Sequence, residues 1–283
     1  MTLQRIITTV IEWVPQSFKI ALRGQRGLPN PLANAIHSIL NRLPAERYVV
    51  LPCAGPLGGF QMRVDWQIHR SFAYGTWEPE VVQAMQREVT PGMNVLDLGA
   101  QSGFYTLLLS RLVGPNGRVF AFEPLPANFR LLDENVRLNN LRNVVVSDEA
   151  VAQVSGELSF PFPHHEKSLV AGPLHKDDNL GILTVRGISL DDIALRAKVP
   201  IDFVKMDIEG AEWAALQGAE RVLREFHPRL MIELHDRVAH DADNPVVLHL
   251  QRLGYEVEWL GDICITAHII ARWPRKARGN ETS

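Results

Sequence analysis

With 283 residues, 46% of them hydrophobic, the chain can bury the core of one large α/β domain plus an extension, which excludes a wholly disordered protein. Lys and Arg number 29 against 32 Asp and Glu, a net charge of -3, which argues against the basic face of a nucleic-acid binder. The two cysteines, Cys53 and Cys264, have neither C-x-x-C nor Cys/His spacing, so structural zinc is not expected and a reducing, cytoplasmic setting fits.

No apolar run is long enough for a membrane span, no signal-peptide pattern opens the chain, and no internal repeat is visible. Leu3, Ile6, Ile7, Val10, Ile11 and Val14 follow helical spacing up to Pro15. This stripe suits a helix packed on the main domain or on a second subunit. A helix lying on a membrane surface is the alternative, but Arg5, Lys19 and Arg23 give it few polar-face charges. A second amphipathic helix carries Leu32, Ile36, Ile39, Leu40 and Leu43 and stops at Pro44. Tyr48–Leu51 and Phe60–Val64 flank a Gly/Pro turn and predict a hairpin. Glu78 then precedes a helix opened by Pro79. It is either a favourable charge at a helix start or a reach toward a cationic ligand.

The stretch Asn94 to Gly103 predicts a buried strand (Val95, Leu96, Leu98), a glycine turn and a helix from near Phe104. A side chain at Gly99 or Gly103 would keep a ligand from the backbone, and the helix start offers free N–H groups. The next strand, Arg118–Phe122, ends in Glu123, twenty residues after Gly103. An acid there can accept hydrogen bonds from both ribose hydroxyls of a nucleoside. The run D-L-G-A-Q-S-G lacks the middle glycine of a dinucleotide fingerprint and places Asp97 two residues before Gly99. A carboxylate repels a pyrophosphate and suits a cationic amino-acid tail, which points to S-adenosylmethionine. A plain strand–helix unit with a tight turn is the simpler alternative.

Beyond this, strand and helix alternate, the pattern of a parallel sheet covered on both faces. Pro126 opens a helix to about Asn139, and Val144–Val146 is a strand followed by Glu149 and Ala150. Two short strands, Gly156–Phe160 and Ile182–Val185, flank a loop over 162–181 containing His164, His165, Glu166, His175, Asp177 and Asp178. That loop is either a functional lid or a solvated insertion. A short helix spans Leu190–Ala197. The strand Ile201–Met206 ends in Asp207, and one helix then carries Ala211, Trp213, Leu216, Val222 and Leu223. The strand Leu230–Ile232 delivers Glu233 and His235, a helix covers Val246–Leu253, and Tyr255–Leu260 with Cys264–Ile270 form an edge hairpin across Gly261-Asp262. The tail from Arg272 on is polar.

Three separated runs resemble the FkbM family of class I S-adenosylmethionine-dependent methyltransferases. They are Gly75-Thr76-Trp77-Glu78 ahead of Pro91–Ala100, then Gly114–Pro124, then Phe203–Glu212. Asn135–Asn139 and Leu234-His235 also fit, whereas Gln101-Ser102 departs from the family's more usual Asn with a small or branched residue. The resemblance covers about residues 70–270. It implies an α/β, Rossmann-like class I methyltransferase fold: a seven-stranded mostly parallel sheet, an antiparallel C-terminal hairpin and helices on both faces. Residues 1–69 would be an extension, 70–272 the methyltransferase domain and 273–283 a tail. Gly99, Ala100 and Gly103 would line the methionine moiety with Asp97 near its ammonium. Glu123 would hold the ribose, and Glu149 and Ala150 would flank the adenine. Glu78, Tyr105, Pro124 and Asp207 complete the candidate cofactor set. The implied activity is methylation of hydroxyl oxygens of small molecules, including sugars.

Methyl transfer from a sulfonium is an in-line displacement, so alignment dominates and a base beside the acceptor hydroxyl helps. Asp207, Glu209, Glu233 and His235 fall at the carboxyl ends of adjacent strands, where doubly wound sheets place their sites. Asp207 is expected to position the acceptor or hold the cofactor and His235 to act as a neutral general base, with Glu209 a further candidate for the base. His235 could instead only hydrogen-bond the next turn, and Glu212 reads as a surface or capping charge. A divalent ion is conceivable among these carboxylates but not expected. The expected partners are a small hydroxylated substrate and, through the extension, a second subunit. A nicotinamide oxidoreductase and a non-catalytic binding protein remain the alternatives.

Overall fold

A computed structural model describes residues 48–65, 69–163, 180–235, 243–260 and 267–274. The two helices expected before residue 47, and with them the subunit contact, lie outside the described residues. So do the histidines and acids of the long loop, Cys264, the Gly261-Asp262 turn and the tail.

The chain opens with strand β1 (Tyr48–Pro52), a 3-10 turn (Gly55–Leu57) and β2 (Gln61–Asp65). Helices α1 (Arg70–Tyr74) and α2 (Pro79–Glu88) lead to β3 (Asn94–Leu98), α3 (Phe104–Val113), β4 (Arg118–Phe122), α4 (Pro126–Leu138) and β5 (Val144–Ser147). Next come β6 (Ala150–Val151), β7 (Gly156–Pro163), β8 (Leu180–Ile188), α5 (Leu190–Ala197) and β9 (Phe203–Met206). The chain continues through α6 (Glu212–Gln217), a π turn (Val222–Phe226), β10 (Arg229–Leu234), α7 (Pro245–Leu253), β11 (Glu256–Leu260) and β12 (Ala267–Arg272). Among the described residues no helix is long and apolar enough to cross a membrane.

The main sheet has seven strands in the order β11-β12-β10-β9-β3-β4-β5. The pairs β3–β4, β4–β5, β3–β9 and β9–β10 are parallel, and β12 runs antiparallel to both β10 and β11. The expected closing hairpin is therefore present, with its second strand inserted between β10 and β11 rather than added outside. Strands β6, β8 and β7 form a separate three-stranded sheet, in which β7 and β8 are longer than expected. The single helix expected over 211–223 is broken at Gly218. A Cβ there would meet the Gln153 carbonyl oxygen at 2.5 Å, so this chain crossing admits only glycine and the helix axis stops.

Both faces of the central strands are covered, as parallel sheets require. On one face Leu96, Leu98, Val204, Met206, Leu230, Ile232 and Leu234 pack with α5, α6 and α7. On the other Val95, Phe203, Met231 and Ile270 pack with α2, α3 and the β1–β2 hairpin. Full burial of each large aliphatic side chain contributes about 1.5–3 kcal/mol. Leu51, Leu57, Met62 and Val64 of the hairpin are wholly buried in that second core. The boundary expected at residue 69 thus runs through one shared core and does not separate two.

The hairpin is held by two asparagines four residues apart, Asn135 on α4 and Asn139 at its C-terminal cap. Asn135 Nδ2 donates to the Arg63 carbonyl at 3.0 Å while its Oδ1 accepts from Arg63 N at 2.6 Å. Asn139 does the same with Gln61, at 2.7 and 2.8 Å. A side-chain amide carries the same donor and acceptor as a peptide group, so the two residues continue the β2 edge like a missing strand. Asn135 Nδ2 also donates to Ser102 O at 2.8 Å, tying the hairpin to the glycine turn. Asn135→Ala should therefore destabilise the protein by about 2–4 kcal/mol, from buried peptide groups left unpaired. Urea unfolding tests this, and a loss below about 0.5 kcal/mol would contradict the anchoring role.

Candidate active site

The turn after β3 lies against the first residues beyond β9. Gly99 has φ +78°, and a Cβ there would meet the Asp207 carbonyl oxygen at 1.8 Å. A Cβ at Gly103, φ +94°, would meet Leu132 Cδ1 at 2.9 Å. Both glycines are thus required by contacts within the protein, and not only by approach of a ligand as expected from the sequence. Gly103 caps α3, whose first-turn residue Tyr105 donates its hydroxyl proton to Glu78. Glu78 itself occupies the left-handed region (φ 35°) at the start of α2 and makes no capping bond. Its carboxylate faces the site instead, where burial raises its pKa.

Glu123 emerges at the tip of β4 and is buried. Its Oε2 accepts from Gln101 N at 2.8 Å and its Oε1 from Leu125 N at 3.0 Å. Burial outweighs these bonds and lifts its pKa to about 7. Asn128 turns Nδ2 toward Glu123 at 3.5 Å and leaves its buried Oδ1 without a partner, as is the hydroxyl of Ser102 in the turn. Ala100 is buried and Pro124 half-buried beside these groups in the chain. Glu149 is already engaged: it pairs with Arg196 at 2.6 Å and accepts from Ser147 Oγ at 2.8 Å. Ala150 is buried in β6.

The register gathers the remaining charges on one face. Asp97 and Lys205 are direct partners across β3 and β9, and Glu233 and His268 across β10 and β12. Side chains two apart share a face, so this charged layer continues the apolar row of Val95, Phe203, Met231 and Ile270 toward the carboxyl ends. Asp97 is wholly buried; Oδ2 accepts from Thr106 Oγ1 at 2.6 Å and Oδ1 lies 3.9 Å from Lys205 Nζ. A protein cation thus stands beside the carboxylate expected to meet the cofactor's ammonium. Lys205 Nζ donates to Asp207 Oδ2 at 3.1 Å and to the Gly99 carbonyl at 3.5 Å, and lies 4.9 Å from the Tyr105 ring centre. Burial would lower its pKa, but Asp207 and then Asp97 raise it to about 12.

His235 follows on the same face. Its Nδ1 is 3.0 Å from Glu212 Oε1, and the same oxygen accepts from Gly210 N at 3.0 Å. Glu212 is 3% exposed, so it is not a surface charge; it does bind a backbone N–H at the helix start, as the capping alternative has it, and is in addition a buried partner of the imidazole. Nε2 faces Asp207 at 3.7 Å, Glu209 at 3.6 Å and Glu233 at 3.6 Å, all beyond hydrogen-bonding reach. Burial would lower the His235 pKa; the Glu212 bond and the charges of Glu233 and Glu209 outweigh it and raise it to about 9. The ring is therefore a cation at neutral pH, contrary to the neutral imidazole expected. Glu209, half-exposed with φ 54°, has its pKa raised to about 7, first by burial and then by Asp207 and Glu233.

Glu233 also meets His268 Nε2 at 3.3 Å, and this contact outweighs burial to hold its carboxyl far below the usual range. Among the described residues, two sets of donors lie close enough to surround one cation: Glu78, Glu233 and His268, and Asp207, Glu233 and His235. The two sets share Glu233, and the neighbouring carboxylates raise the pKa of the histidine in each, which favours a proton there over a metal. Lys205 and His268 were missed in the sequence. The available signal was a charge inside a run that a twice-covered strand should keep apolar, as Lys205 is within Phe203–Met206.

A parallel sheet with one reversed strand inserted next to the last, and an acid at the tip of the strand beside the glycine turn, defines the Rossmann-like methyltransferase fold. A family profile described as Methyltransferase FkbM domain matches residues 97–257, more than half of the chain. The chain belongs to that family. It is 24% identical over 183 residues to Methyltransferase 1 of Beauveria bassiana, covering 58% of this chain and 73% of that one. It is 38% identical over 81 residues to the protein-L-isoaspartate O-methyltransferase of Aeropyrum pernix, covering 29% of this chain and 30% of the relative. The chain thus spans less than a third of that relative. A solved FkbM methyltransferase from Methylobacillus flagellatus superposes with a TM-score of 0.45 at 18% identity, over 85% of this chain and 60% of that one.

Gly99→Ala should destabilise the protein even without any ligand. A left-handed alanine costs about 1–2 kcal/mol, and the clash with Asp207 adds about 1–3 kcal/mol. Thermal unfolding of ligand-free protein measures this. Unchanged stability would leave ligand approach as the only reason for the glycine.

Proposed function

We propose that the protein moves the methyl group of S-adenosylmethionine to a hydroxyl oxygen of a small molecule, such as a sugar or another glycosylated metabolite. The observation that carries the reading is His235. Its Nδ1 is oriented by the buried Glu212 and its Nε2 opens at the carboxyl edge of the sheet beside the glycine turn. Family membership supports the methyl transfer.

The residues present fit the cofactor. Glu123 Oε2 accepts from Gln101 N alone and has a lone pair left for a ribose hydroxyl, Oε1 holds a second only by giving up its long contact with Asn128, and the unpartnered Asn128 Oδ1 accepts a further donor. Glu78, half-buried and bonded to Tyr105, would meet the methionine end. Lys205 stands beside Asp97 and is bonded to Asp207, which reduces the claim of both on the cofactor's ammonium, so Glu78 is the better partner. When bound, S-adenosylmethionine supplies an electrophilic methyl whose sulfur leaves without acid assistance. The chain's own task is to align the acceptor and take its proton. Neutral His235 does this through Nε2, and Glu212 stabilises the imidazolium that results. Glu209 is the second reading for the base, because its pKa of about 7 lies near neutral pH.

Glu123→Ala should weaken binding of S-adenosylmethionine at least about tenfold through lost charge-assisted bonds. In the unaltered protein the ribose hydroxyls favour ionised Glu123, so affinity should fall as pH drops below about 7. Calorimetry with S-adenosylmethionine, and with NAD as control, tests both; an unchanged affinity in a folded variant removes the ribose role.

The two candidate bases separate by pH. With His235, single-turnover transfer to hydroxylated acceptors rises with pH up to about 9, the range in which the ring loses its proton. His235→Ala should then slow transfer about a hundredfold or more and leave cofactor affinity nearly intact. A rate that levels off near pH 7 and survives His235→Ala would move the role to Glu209.

A further inference from the structure

Lys205 is the buried charge that the proposed chemistry does not use. It sits on β9 between the two halves of the site, with a side chain 6% exposed. On one side it reaches the glycine turn through the Gly99 carbonyl. On the other it takes Asp207 Oδ2 at 3.1 Å. The opposite oxygen, Asp207 Oδ1, stays 3.7 Å from His235 Nε2, too far for a hydrogen bond. Asp207 is therefore shared between two cations and bonded to only one of them.

We propose that Lys205 is a positioning residue that tethers Asp207 to the glycine turn and so keeps it from closing onto His235. With the tether, Nε2 faces Asp207, Glu209 and Glu233 at 3.6–3.7 Å and is bonded to none of them, so its position for an acceptor's proton is not taken. Without it, Asp207 has no partner but the imidazole. A direct Asp207–His235 pair would occupy Nε2 and hold the proton on the ring. Asp207 thus orients the acceptor only because a second cation restrains it. Asp97 completes the arrangement: its unpartnered Oδ1 faces Lys205 from the opposite side and keeps the ammonium charged.

The groups facing His235 are Asp207 and Glu209 beyond β9, Glu212 on α6 and Glu233 on β10, with His268 on β12 behind Glu233. Among them Lys205 is hydrogen-bonded to Asp207 alone, so Lys205→Met frees that carboxylate. The His235 titration, followed by imidazole NMR in the full chain without cofactor, should move upward by about one pH unit or more. Asp207→Asn added to Lys205→Met should return it to the wild-type value or below. An unmoved His235 titration in folded Lys205→Met overturns the inference. Should Lys205→Met not fold, Asp207→Asn and the double variant carry the test. Without a carboxylate at 207, removing Lys205 should leave His235 unmoved. A shift between those two variants would show that Lys205 acts on the ring by its own charge, not through Asp207, and would equally overturn it.

The kinetic half rests on the His235 base reading. Single-turnover transfer near neutral pH should fall at least about tenfold in Lys205→Met and recover as pH is raised. The titration half needs neither acceptor nor cofactor. Failure of methyl transfer in the unaltered protein would therefore sink the proposed function and leave the tether testable.

Discussion

The contact between the Asp207 backbone and the turn after β3 is the constraint on which the site depends. Asp207 N donates to Leu98 O at 3.0 Å, so the β3–β9 ladder runs one residue past the strands. Its carbonyl then occupies the space a Cβ on Gly99 would need. The glycine turn and the end of β9 are thereby one unit. Lys205 reaches the Gly99 carbonyl because of this closeness, and the start of α3 faces the acids beyond β9 and β10. This is also the point in the sheet where strand order reverses, with β4 on one side of β3 and β9 on the other. Crevices form there because the connecting helices leave toward opposite faces.

The central strands carry two unlike faces. One is apolar along its length. The other changes from Val95, Phe203, Met231 and Ile270 to Asp97, Lys205, Glu233 and His268 within two residues of each strand. Burying charge is costly, and a layer of hydrophobic residues would hold the fold at least as well. The layer is tolerated because opposite charges are neighbours in it: Asp97 and Asp207 flank Lys205, and Glu233 lies between two imidazoles. Breaking one member strands another, which makes the site a unit in energy as well as in space. Function accounts for a layer that stability alone does not require.

At the far end of the same sheet the ion pairs have an ordinary structural use. Glu88 at the end of α2 receives Arg272 of β12 at 2.7 Å, with Arg87 at 2.9 Å. They close the sheet edge against the helix. The contrast shows why counting charges along the chain does not locate a site: the carboxyl edge differs in which charges meet, not in how many there are.

What the sequence determines by itself is local. Periodicity and turn chemistry place β3, α3, β4, α4, β9 and β10, because a strand or helix is selected by residues within a few positions of one another. The glycines of the turn, the acid ending β4 and the carboxylates ending β9 and β10 are legible for the same reason. Asn135 and Asn139 were visible as a motif, but not as the residues that complete the β2 edge. What only the tertiary structure decided is how charges distant in the chain meet. Glu212 becomes the buried partner of His235, Lys205 comes between Asp97 and Asp207, and His268 is set opposite Glu233. Whether His235 is neutral or charged depends on four carboxylates that converge from beyond β9, from α6 and from β10. The energy of a charge depends on the distance to its neighbours and on their shared burial, and neither is a property of spacing along the chain.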